Sequence, residues 1–123
     1  VLILLGVAVA GALGAPSRFL LDRWITARSA PPFPRGTFLV NLSGSLLLGF
    51  LTGLVIFHGA GPLYSDVFGI GFCGAYTTFS TFSYETVRLI EDGDLRAAAA
   101  SALGGLALGL LAAGAGLALA SLG

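Results

Sequence analysis

The chain has 123 residues, of which 56% are hydrophobic and 10% charged, and its mean hydropathy is +0.96. That composition excludes an ordinary soluble domain and predicts a single all-α integral membrane domain over 1–123. With zero net charge, no lysine, one cysteine (Cys73) and one histidine (His58), it also argues against a nucleic-acid partner, a disulfide framework and a catalytic constellation.

The first span is expected over about 1–24. Its opening stretch does not read as a cleavable signal, since no basic region precedes it and no polar domain follows. Pro16 is tolerable inside it because neighbouring helices can satisfy the freed carbonyl, and Trp24 marks the headgroup level. The loop Thr26–Arg35, with SAPPFPR at its centre, is too rich in proline to be helical. The second span, 36–57, carries no charge; Asn41 is its one strongly polar residue, and Gly49 with Gly53 makes a small-xxx-small pair. His58-Gly-Ala-Gly-Pro62 ends it as a turn, with His58 a loop residue.

The third span, 66–88, contains the unusual stretch GIGFCGAYTTFSTFSYE, Gly69–Glu85. It combines three glycines with five hydroxyl residues (Thr77, Thr78, Ser80, Thr81, Ser83) around Phe79 and Phe82 and has no leucine. Glycine costs a helix about 1 kcal/mol relative to alanine, and Ser and Thr offer the backbone competing hydrogen bonds. Such a segment is tolerated at bilayer depth only inside protein or beside a water-filled path. The expectation is a helix broken at Gly74–Thr78 that forms a conduction or coordination site. An acidic turn, Glu91-Asp-Gly-Asp94, leads to a fourth span, 95–122, rich in Ala, Leu and Gly, with the pair Gly105 and Gly109.

All six arginines fall at the first and third loops, which predicts that this side is cytoplasmic and both termini are outside. The glycine pairs point to self-association, most simply a symmetric dimer. Phe79 and Phe82 are three apart and share a helix face; their positive ring edges, beside Ser and Thr donors, suit an anion better than lipid. Asn41 is read equally as a helix–helix hydrogen bond or as an anion donor. Arg18 is read as snorkelling to the interface, or else as attracting anions to a vestibule. Glu85 is either a buried partner to the hydroxyls or a solvated helix-end carboxylate. Cys73 reads as a small packer, and carbonyls freed by the break could coordinate Na⁺ or K⁺.

Three strings, GAPSR at Gly14–Arg18, GTFLVNLSGSLLLG at Gly36–Gly49 and GFCGAYTTFSTFSYE at Gly71–Glu85, closely resemble the Fluc (CrcB-type) fluoride channel family. The resemblance covers nearly the whole chain; the fourth span matches only in length and composition. It implies an antiparallel, dual-topology dimer of four-span protomers in the cell's inner (plasma) membrane, with two fluoride pores and passive export of cytoplasmic fluoride. It implies a structural Na⁺ at the dimer centre, held by the backbone carbonyls of Gly74 and Thr77. It makes Asn41, Phe79, Phe82, Ser80, Thr81 and Glu85 the fluoride pathway and puts Arg18 near a pore mouth. The one-sided arginines depart from the balance of a dual-topology chain, so the partner is either a second copy or an oppositely oriented paralogue. Tyr76 departs too, standing where a smaller residue is expected beside the glycines.

Two rival readings remain. A small four-span multidrug exporter needs an acid in the first span, and Val1–Arg18 has none. A non-transporting assembly subunit would use the polar stretch only to lock helices together.

Overall fold

The structure, a computed structural model, describes residues 1–28 and 33–122, and all regular structure among them is helical. Helix α1 spans Leu2–Ala27 and α2 spans Arg35–His58. A short α3, Pro62–Tyr64, runs directly into a π-helical stretch, Ser65–Cys73, and then α4, Gly74–Tyr76. Helices α5, Phe79–Glu91, and α6, Leu95–Ser121, complete the chain. Three helices, α1, α2 and α6, are long and apolar enough to cross a membrane.

Pro16 lies within α1 without ending it. The expected loop Thr26–Arg35 is trimmed at both ends, by α1 through Ala27 and by α2 from Arg35; its residues 29–32 lie outside the described residues. His58 is the last residue of α2 and not a loop residue. Its Nε2 lies 2.6 Å from the Ala120 carbonyl, tying the end of α2 to the end of α6. Gly59 then takes the left-handed conformation (φ 65°) that closes a helix cheaply only at glycine. At the acidic turn, Asp94 caps α6 by accepting the Ala97 N–H at 3.1 Å.

The helices associate as two parallel pairs. Helix α1 lies along 62–76, where a Cβ at Gly14 would meet the Phe72 carbonyl and one at Gly71 would meet Val7 and Ala10. Helices α2 and α6 pack more extensively still, with Gly49 on the Ala113 carbonyl and Gly116 on the Leu46 carbonyl. These backbones touch where any larger side chain would hold them apart, which is how small residues bring apolar helices together without water to expel. The expectation that the glycine pairs serve self-association is corrected here. Gly49 and Gly53 are used within the protomer against α6, and Gly105 gives room to the Phe82 ring.

Candidate functional site

Between Pro62 and Glu91 the chain leaves helical geometry at two residues. Thr77 (φ −79°, ψ 161°) and Thr78 (φ −147°, ψ 123°) are extended, between α4 and α5. The local cause is hydroxyl chemistry. Thr77 N–H still reaches the Cys73 carbonyl at 2.9 Å, and Thr77 Oγ1 donates to the same oxygen at 2.8 Å. Thr78 Oγ1 accepts the Thr81 N–H at 3.1 Å, a threonine N-cap that starts a new helix. The distant cause is Asn41 on α2. Its Oδ1 accepts the Thr78 N–H at 2.8 Å and its Nδ2 donates to the Thr78 carbonyl at 2.8 Å. One amide thus replaces both backbone partners that a continuous helix would have supplied.

The grip of α2 extends to each residue around the break. Tyr76, buried, stacks on Phe72 with ring centroids 5.3 Å apart and shares a 2.9 Å hydrogen bond with Ser43 Oγ. Gly44 leaves the space into which Thr77 Cγ2 and the Tyr76 ring fit.

With the Thr78 N–H turned to Asn41, the Gly74 carbonyl loses its usual i+4 donor. Gly74 and Thr77 line an open concavity of ≈ 310 Å³ together with Asn41, Ser45, Cys73 and Phe79. Arg18 Nη1 lies 3.5 Å from the Thr77 carbonyl. Arg18 is half-buried, with its guanidinium beside the break. No cluster of His, Cys, Asp or Glu among the described residues could hold a metal ion. Backbone oxygens are the donors the break itself offers.

Phe79 and Phe82 face one another with centroids 6.1 Å apart at 43°. Phe79 is 79% exposed on the isolated chain, whereas Phe82 is half-buried with an edge on Gly105. Both line a second cavity of ≈ 360 Å³ with Phe38, Asn41, Leu42 and Ser45. Asn41, Ser45 and Phe79 belong to both cavities, so the two adjoin. A third, of ≈ 200 Å³, is lined by Arg18, Asp22, Thr37, Thr78 and Thr81. Ser80 is exposed, with its Oγ 3.4 Å from Thr78 Oγ1.

Glu85 is no solvated helix-end acid: its Oε1 is fully buried without a hydrogen-bond partner. Thr37 and Asp22 are its neighbours: the Thr37 hydroxyl lies within pairing reach of the Glu85 carboxyl, although neither Thr37 Oγ1 nor Glu85 Oε1, both buried, makes a well-formed hydrogen bond. A third such atom is Ser101 Oγ. Ser101 precedes by about one turn Gly104 and Gly105, which face Phe38 and Phe82, while Glu85 follows Phe82 by about one turn. This register puts all three orphaned oxygens at a similar depth. A buried polar oxygen without a well-formed hydrogen bond costs about 1–3 kcal/mol, so this level, with two hydroxyls and a carboxyl oxygen, is the most polar part of the buried interior. Thr37, Ser101 and Ser43 are candidate site residues that sequence reasoning missed, and Tyr76 stood out there only as a departure without a role. An isolated hydroxyl in an apolar run gives no signal until its burial is known.

Comparison with known proteins identifies the family. The family model for CrcB-like protein, Camphor Resistance (CrcB), matches residues 5–117. The chain is 47% identical over 116 residues to a Fluoride-specific ion channel FluC 1 of Leifsonia xyli subsp. xyli, covering 94% of this chain and 85% of that one. It is 50% identical over 109 residues to the protein of that name in Streptomyces avermitilis, covering 88% of each. A third relative of the same name, from Symbiobacterium thermophilum, is 50% identical over 115 residues, covering 92% of this chain and 93% of its own. With its apolar helices and a family match over nearly its full length, the chain is a multi-pass membrane protein and belongs to the CrcB-like family.

Proposed function

We propose that this protein is a fluoride channel of the plasma membrane that lets cytoplasmic fluoride leave the cell passively. The observation that carries the reading is the two-residue break at Thr77–Thr78, opening onto adjoining cavities edged by Phe79 and Phe82. The printed names of the curated relatives support it.

Fluoride is small and strongly hydrated, so a path through hydrocarbon must replace its water with donors while keeping full charges few. Asn41 spends one N–H on Thr78 and keeps a second for the ion. Phe79 and Phe82 offer ring edges. Ser80 and Thr81 carry hydroxyls toward the level of Thr37, Glu85 and Ser101, where the orphaned oxygens sit. A Glu85 carboxyl in its protonated form could donate there. Arg18, beside Thr78 and Thr81, supplies the positive potential that draws an anion to the mouth.

In this reading residues 62–91 are a fourth membrane crossing made of two half-helices. The protomer works as one half of an antiparallel dimer, with a second copy or an oppositely oriented paralogue. Exposed Phe79 and the open concavity at Gly74 and Thr77 are the surfaces such a partner would cover. The donor set fits a structural Na⁺. Unwound carbonyls are the ligands half-helix ends give this ion, and two from each protomer would surround it. Gly74 and Thr77 would hold it, neutralising converging carbonyl dipoles.

The test is fluoride efflux from liposomes containing the purified protein. Passive efflux indifferent to a pH gradient is expected. Proton-coupled export of a cationic drug would favour the exporter reading, and absence of any flux the assembly-subunit reading.

A further inference from the structure

The channel reading uses Asn41 and the phenylalanines but leaves Tyr76 without a task. We infer that Tyr76, through its hydroxyl contact with Ser43, is a positioning residue that fixes the pitch of the Thr77 carbonyl. The geometry is specific. Tyr76 is the last residue of α4, and Thr77 is the first to leave the helix. Its ring is clamped by Phe72 at 5.3 Å, so the hydroxyl has one direction to point, and there it meets Ser43 Oγ at 2.9 Å. Asn41 holds the peptide on the far side of the break at 2.8 Å. Two neighbouring positions of α2 thus staple the chain on either side of Thr77, with Gly44 beneath its methyl group. The Thr77 side chain is spent on Cys73 at 2.8 Å, while its carbonyl lies 3.5 Å from Arg18 Nη1 and the residue borders the concavity.

Removing the near-side staple lets the last turn of α4 rotate. A carbonyl carried by that turn then swings relative to whatever it coordinates. A tyrosine that served packing alone would do its work through the ring, which phenylalanine keeps.

This inference rests on the channel reading for its electrical readout but not for its structural one. The experiment compares wild type, Tyr76→Phe, Ser43→Ala and the double variant. Single-channel recording is expected to show unitary fluoride current reduced about 3- to 10-fold in each single variant, and no further in the double, because the Tyr76–Ser43 contact is lost in all three; the other bond of Ser43 Oγ, to the Val40 carbonyl at 3.1 Å, lies within α2 itself. Solid-state NMR on protein ¹³C-labelled at threonine carbonyls is expected to shift the Thr77 resonance in all three variants alike. Unitary current and Thr77 resonance both unchanged in Tyr76→Phe would overturn the inference, as would additive losses in the double variant. Wild-type protein passing no fluoride would sink the channel reading alone, and the carbonyl resonance would still decide the role of Tyr76.

Discussion

Asn41→Leu removes the amide that holds the break while keeping similar bulk. Two hydrogen bonds of 2.8 Å disappear, and Thr78 is left with a peptide N–H and a carbonyl facing apolar surroundings. Side-chain hydrogen bonds between membrane helices are worth about 0.6 kcal/mol on average and about 1.7 at most. Two such bonds are worth about 1.2 kcal/mol at that average. Each orphaned group adds up to about 1–3 kcal/mol where water cannot reach it. Thr78 is buried, but the concavity beside it is open, so the upper end does not apply in full. The expected loss is about 2–4 kcal/mol, or roughly 30- to 1000-fold in the equilibrium that keeps the break closed. Hydrogen exchange at the Thr78 and Thr81 amides measures this directly, and fluoride efflux from liposomes reports the consequence. Protection lowered by less than about threefold, with wild-type efflux, would refute the claim that Asn41 shapes the break.

Asn41→Asp keeps the acceptor for the Thr78 N–H but sets a carboxylate against the Thr78 carbonyl and the passing anion; efflux at neutral pH is expected to fall at least tenfold. Phe82→Ile should abolish fluoride efflux while leaving the protein folded by circular dichroism and size-exclusion profile, and unchanged efflux would remove Phe82 from the path. Thr37→Val removes the buried hydroxyl beside the Glu85 carboxyl at near-constant shape, so efflux should drop while stability changes by no more than about 1 kcal/mol; wild-type efflux would take Thr37 out of the path. Gly49→Leu should prevent α2 from seating on α6, because its side chain must occupy the place of the Ala113 carbonyl, and little monodisperse protein should be recovered.

Much of this arrangement is legible locally. Apolar runs without charge mark α1, α2 and α6, and a glycine- and hydroxyl-rich segment announces that helix will be poor between Gly69 and Glu85. What remains hidden is whatever depends on a partner far along the chain. The break narrows from Gly74–Thr78 to two residues because Asn41, 37 positions away, claims Thr78 and not its neighbours. The π-helical turn over Ser65–Cys73 has no composition of its own that separates it from an α-helix. Gly49 and Gly53 look the same whether they meet α6 or a second copy; Ala113 and Gly116 decide it. Tyr76 looks misplaced among small residues until Ser43 is seen beneath its hydroxyl. Arg18 reads as an interfacial cation because no sequence rule says that a carbonyl will be waiting for it deeper in the bundle.

The bond between Asn41 and Thr78 also bears on biogenesis. Translation delivers Asn41 to the bilayer well before Thr78 leaves the ribosome, and during that interval the amide has no native mate. Until the segment with Thr78 arrives the carboxamide lies among acyl tails without the peptide it later holds. Arrival of Thr78 supplies a donor and an acceptor at once, so the contact that shapes the mature break also ends the exposure of the amide to lipid.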